Sequence, residues 1–239
     1  MRALILALSL FPLTSVASHA ATPFVGCPRD GQQGPQPAPV QRPRMIPDDP
    51  SGQLAWYQAE DGPGILAPKG WHCFGTYGSN GSSLYVSPDA ITATEFFDSR
   101  PKWKGLTGYG IQITSLVGDT SGRFEVARLV ARVFPKHRKY AQKVIAEVLE
   151  PATDFPFGPY PTDKLHYLSD HFVEYETPAH HRGLGTDSWL QPNDQPIRGL
   201  IQFNPTGDNE ATALYVRLPA AYRKLVPSVL KSAVWNPAP

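Results

Sequence analysis

The chain has 239 residues, with 22 basic and 21 acidic side chains. That balance excludes a protein steered by net charge toward nucleic acid or an anionic membrane. The length fits one hydrophobic core.

The opening stretch, residues 1–20, has the parts of a secretory signal peptide. Arg2 gives a short positive start, an apolar run follows, and Ser18 and Ala20 place small side chains before a cleavage point. Pro12 interrupts that run, and its length falls short of the roughly 20 residues that cross a bilayer. The expectation is export to the periplasm or the extracellular space, with no transmembrane segment. Losing Arg2 with the leader leaves equal numbers of acidic and basic side chains.

Residues 21–50 are rich in Pro and Gln. Prolines at 28, 35, 37, 39, 43, 47 and 50 exclude a helix or a central strand, so this segment reads as an extended arm. Val25-Gly26-Cys27 ends like a lipid-attachment box but lies well past the apolar run. Cys27 and Cys73 are the only two cysteines. In an oxidising compartment they are most simply a disulfide that ties the arm to the domain. The rival is a free thiol at Cys73 beside His72, although adjacency in sequence does not make a catalytic pair.

Residues 51–239 read as a single α+β domain. Within 65–88, glycines and aromatics interleave; Leu84-Tyr85-Val86 suits a strand after a tight turn over 79–83. Gly78-Ser79-Asn80-Gly81 is one residue short of a nucleophile elbow, and no Lys follows the glycines as a phosphate loop requires. Ser87-Pro88 can open a short helix over 89–98. Residues 108–117 alternate as a strand. Phe124, Ala127, Val130, Ala131 and Phe134 repeat at helical spacing, Pro135 breaks the run, and Tyr140, Val144, Ile145, Val148 and Leu149 resume it. The basic run 135–139 between them is a solvated helix start. After a proline–aromatic loop at 151–161, strands are expected at 172–176, 199–203 and 211–218, then an amphipathic segment from Pro219. The expected architecture is α+β, a mainly antiparallel sheet of four or five strands with about three packed helices.

Chemistry concentrates in 164–181, where four of the seven histidines fall. His166, Asp170 and His171 are the candidates for acid–base catalysis. His166, His171, His180 and His181 are the candidates for zinc or another divalent metal. No His-Glu-x-x-His signature supports them, and in extended chain His180 and His181 point apart. No cofactor is otherwise implied. The turn Arg182-Gly183-Leu184-Gly185-Thr186-Asp187 offers backbone amides and a guanidinium for an anion, or is a plain turn.

The segments GWHCFGTYG at 70–78, Thr177-Pro178, Gly183-Leu184-Gly185-Thr186 and Val216-Arg217-Leu218-Pro219 resemble a family of uncharacterised exported bacterial proteins. The resemblance implies a periplasmic or secreted setting and brings no activity or catalytic residues. Two functions are compatible with these features. One is a non-enzymatic exported domain that binds or stabilises an envelope component or small molecule. The other is a metal-dependent or His/Asp hydrolase built on 166–181.

Overall fold

The computed structural model describes residues 21–41, 45–98 and 103–234. The predicted signal peptide lies outside the described residues. An eight-stranded sheet carries the fold. Its strands are β2 (Arg29–Gly31), β5 (His72–Gly78), β6 (Gly81–Ser87), β7 (Gly110–Leu116), β8 (Lys164–Ser169), β9 (Phe172–Thr177), β10 (Ile197–Phe203) and β11 (Ala211–Arg217). In space they lie in the order β2-β5-β6-β7-β11-β10-β9-β8. All neighbours are antiparallel except β2 on β5. A second sheet joins β1 (Phe24–Cys27), β3 (Leu54–Ala59) and β4 (Gly64–Pro68).

The large sheet is covered on both faces. On one, α2 (Arg123–Val133) and α3 (Arg138–Ile145) lay Val126, Val130, Phe134 and Val144 over Val173, Ile201 and Phe203. On the other, the small sheet and α4 (Val226–Val234) pack over Leu84, Ile113, Leu200 and Leu214. The chain is therefore a single α+β domain with a largely antiparallel sheet, as the patterning indicates. Among the described residues no helix is long and apolar enough to cross a membrane.

Several elements differ from expectation for physical reasons. Eleven strands form among the described residues, not four or five. β3 and β4 were concealed because both faces are covered, so almost every residue is apolar and no alternation marks them. The prolines of the arm do keep it out of the sheet centres, but β1 and β2 add to the sheet edges, either side of Pro28. The helix placed after Ser87 begins later, as α1 (Ala93–Phe97), where Glu95 accepts from the N–H and hydroxyl of Thr92. Ser87 instead ends β6 and its Oγ accepts the Asp89 N–H. α3 stops at Ile145, because Val148 has a left-handed φ of 56° and, with Leu149, lies exposed.

Cys27 and Cys73 form a disulfide, with Cα atoms 5.4 Å apart. It bridges β1 of the small sheet to β5 of the large one.

Candidate functional site

The expected histidine region does not gather. His166 is on the exposed edge strand β8, opposite Glu174 of β9. Asp170 and His171 sit in the β8–β9 turn, where Asp170 pairs with Lys136 at 2.7 Å. That ion pair holds the Asp170 carboxyl below its usual range. His171 uses its backbone N–H on Ser169 Oγ. His180 and His181 follow β9 in an exposed turn; the His180 N–H meets the Asn193 carbonyl and the His181 N–H that of Pro178. Among the described residues no three His, Cys, Asp or Glu side chains meet in a way that holds a metal ion.

His166 does border a groove of about 680 Å³ between β8–β10 and α4, walled by Phe172, Val226 and Leu230. Three of its charges are paired: Glu176 accepts from Lys164 and Arg198, both at 2.8 Å. Those hydrogen bonds, Lys164 first, lower the Glu176 pKa against the opposing effect of burial.

The larger cavity, about 760 Å³, lies on the opposite face, between α2 and the middle of the sheet. That size is ordinary for small-molecule pockets. Register explains its floor. Tyr85, Gln112 and Tyr215 stand in one cross-strand row over β6, β7 and β11; Ser83, Thr114 and Ala213 form the next. Alternation sends the row Leu84–Ile113–Leu214 to the other face, where it is wholly apolar. The centre of the sheet is thus greasy on one side and hydroxyl- and amide-bearing on the other.

The floor is held in place by its own bonds. Ser83 Oγ and Thr114 Oγ1 are 2.8 Å apart. Gln112, only 7% exposed, donates from Nε2 to Thr114 Oγ1 and accepts the Trp189 backbone N–H at 2.9 Å. The Tyr215 hydroxyl has no protein hydrogen-bond partner among the described residues, and burial raises its pKa. Burial likewise raises that of Tyr85, whose hydroxyl lies 3.4 Å from Thr76 Oγ1.

The walls come from three segments. The proline–aromatic loop at 151–161 is clamped to α2 by stacked guanidiniums: Arg128 over Phe155 and Arg132 over Tyr160, at 5.3 and 4.0 Å from the ring centres. The Gly158 N–H closes that loop on the Ala131 carbonyl. A second wall is Trp189, stacked on Trp103 at 4.7 Å, with Phe96 edge-on to both. The third is the turn at 182–187. Tyr160 donates to Asp187 Oδ1 at 2.7 Å. Asp187 is accessible from the cavity but ringed by protein, and this desolvation raises its pKa against the hydrogen bond from Tyr160.

Behind the wall, Arg217 is 1% exposed. Its guanidinium donates to the carbonyls of Gly108, Gln191 and Leu106 at 2.7, 2.5 and 2.8 Å. Burial pulls its pKa down to about 10, so it stays charged at neutral pH. These bonds fix the 106–108 and 189–191 segments side by side, where Leu106 N–H meets the Trp189 carbonyl.

Sequence reasoning singled out the turn at 182–187 and the aromatic loop but not the floor. Its signal was the polar half of the alternation at Gln112 and Thr114, which reads as a solvent face when strand order is unknown.

No protein-family model matches this chain, and no curated protein matches it.

Proposed function

We propose that this chain is an exported, non-enzymatic domain that holds a small polar molecule, or a polar part of a cell-envelope component, in the cavity between α2 and the sheet. One observation carries the reading: the cross-strand rows Tyr85–Gln112–Tyr215 and Ser83–Thr114 put hydrogen-bonding groups at the sheet centre, where the row between them on the opposite face, Leu84–Ile113–Leu214, is apolar. Ser83, Thr114 and Gln112 are held by protein bonds, whereas the Tyr215 hydroxyl has no protein partner among the described residues, and a polar occupant would supply one. The leader-like residues 1–20, the resemblance of GWHCFGTYG to exported bacterial proteins and the Cys27–Cys73 disulfide support an oxidising compartment outside the cytosol.

The test is amide chemical-shift mapping of labelled protein against a panel of sugars, amino acids, aromatic acids and phosphate. The expected result is shifts clustered on β6, β7, β11 and α2 with one class. Shifts confined to β8, β9 and α4 would instead make the His166 groove the binding site and end this reading.

A further inference from the structure

Three features of the cavity narrow the chemistry of its occupant. The first is a rigid aromatic surface. Trp189 remains 37% exposed although Trp103 backs its ring, and it lines the cavity. A fixed, half-open indole presents a flat apolar face beside polar groups. The C–H face of a sugar ring matches such a surface, and so does an aromatic ring.

The second feature separates those two. Around the cavity stand groups that suit many hydroxyls in different directions: the unpartnered Tyr215 hydroxyl, the Asp187 carboxylate with one oxygen engaged by Tyr160, and the hydroxyls of Ser83 and Thr114. Several donors and acceptors lining one cavity match a polyol. A planar aromatic acid has too few donors to satisfy them.

The third feature is a pair of underused cations. Arg182 makes no side-chain hydrogen bond and no ion pair among the described residues; Arg132 makes a single bond, to the Gly158 carbonyl at 3.3 Å. Arg128, by contrast, is committed to Glu150. Arg132 is also stacked on Tyr160, but both guanidiniums keep N–H groups unengaged at the cavity wall, and these are suited to capture of a carboxylate.

We propose that the cavity binds a carboxylate-bearing sugar, with Trp189 as its stacking platform and Arg132 and Arg182 as its carboxylate clamp. This rests on the cavity being the binding site. It goes further by fixing the class of ligand as an acidic carbohydrate, of which envelope glycans are one source and free uronic acids another.

Calorimetry on the purified protein with glucuronic acid, N-acetylmuramic acid, glucose, N-acetylglucosamine and benzoate tests it, with amide shifts recorded for each. The two acidic sugars are expected to bind at least about tenfold tighter than their neutral counterparts, and Arg182→Gln should remove most of that difference. Preference for N-acetylmuramic acid over glucuronic acid would point to the envelope glycan, the reverse to a free uronic acid. Equal binding of acidic and neutral sugars overturns the clamp; tighter binding of benzoate overturns the sugar. In both cases cavity shifts would leave the site itself standing. If none of the probes moves a cavity amide, the proposal and the reading beneath it both fail.

Discussion

Replacing Arg217 by Met should destabilise the fold far more than an ordinary arginine substitution. The side chain fits the space as a hydrophobe, but two carbonyls, those of Gly108 and Gln191, lose the donors that Arg217 gives them. The Leu106 carbonyl keeps the Gln191 N–H at 3.0 Å. Each orphaned acceptor costs about 1–3 kcal/mol, and relief from burying a charge recovers part of that. The net expectation is a loss of about 3 kcal/mol. Urea unfolding should show it as a lower midpoint at unchanged slope. Near-ultraviolet circular dichroism should change too, because the segment carrying Trp189 is held against residues 106–108 by these bonds. Arg217→Lys should rescue little, since one ammonium cannot span three carbonyls in a fixed fork. A loss below about 1 kcal/mol with an unaltered aromatic spectrum would refute the idea that Arg217 organises the cavity wall.

The Cys27→Ser/Cys73→Ser variant removes a bridge across 46 positions; chain entropy puts the cost at about 4 kcal/mol, read as a fall in Tm of about 10 °C, and the two thiols of the wild type should become alkylatable together only after reduction. Asp187→Asn should raise Tm at pH 7, because burial lifts the Asp187 pKa and its ionised form therefore weakens the native state. The sign follows from proton uptake: the native state holds that proton to higher pH than the unfolded chain, so the gain from the substitution shrinks as pH falls through the folded pKa and is gone below the ordinary aspartate value of 3.8. A gain that persisted in acid would contradict this. Gly199→Ala sets a methyl against the Leu214 carbonyl and 2.5 Å from the Tyr175 hydroxyl, whose 3.0 Å bond to Leu214 it must break. A loss of more than about 2 kcal/mol is expected in thermal unfolding, and a neutral result would mean that β10 and β11 can separate freely.

Much of the scaffold is written in local pattern. Helical spacing at Ala127, Val130 and Phe134, alternation in β7 and β9, and an isolated cysteine pair each point to what forms. Elements were hidden where tertiary coverage changes the rule. Leu54–Ala59 and Gly64–Pro68 have no polar face because each is covered twice. β8 was concealed for the opposite reason: as an edge strand it leaves most of its residues exposed, so no buried face marks it, and its one histidine, His166, looked like chemistry. The candidate site is least legible of all. Its floor draws on residues 83, 85, 112, 114 and 215, which only the strand order brings together. Composition marks a histidine cluster; it gives no sign that a tyrosine and a glutamine will share a row.

The arm at the start of the domain bears on how the chain reaches its final state. β1 pairs in parallel with β3, and β2 in parallel with β5, so neither has a native partner until residues 54–59 and 72–78 exist. The segment synthesised early therefore waits on strands made later, and Cys27 cannot meet Cys73 until the second hairpin is available. Parallel pairings at such separation are slow to close. A chain whose first native strands are completed late stays open at its leading end, and the covalent lock is set only after both sheets have begun to assemble.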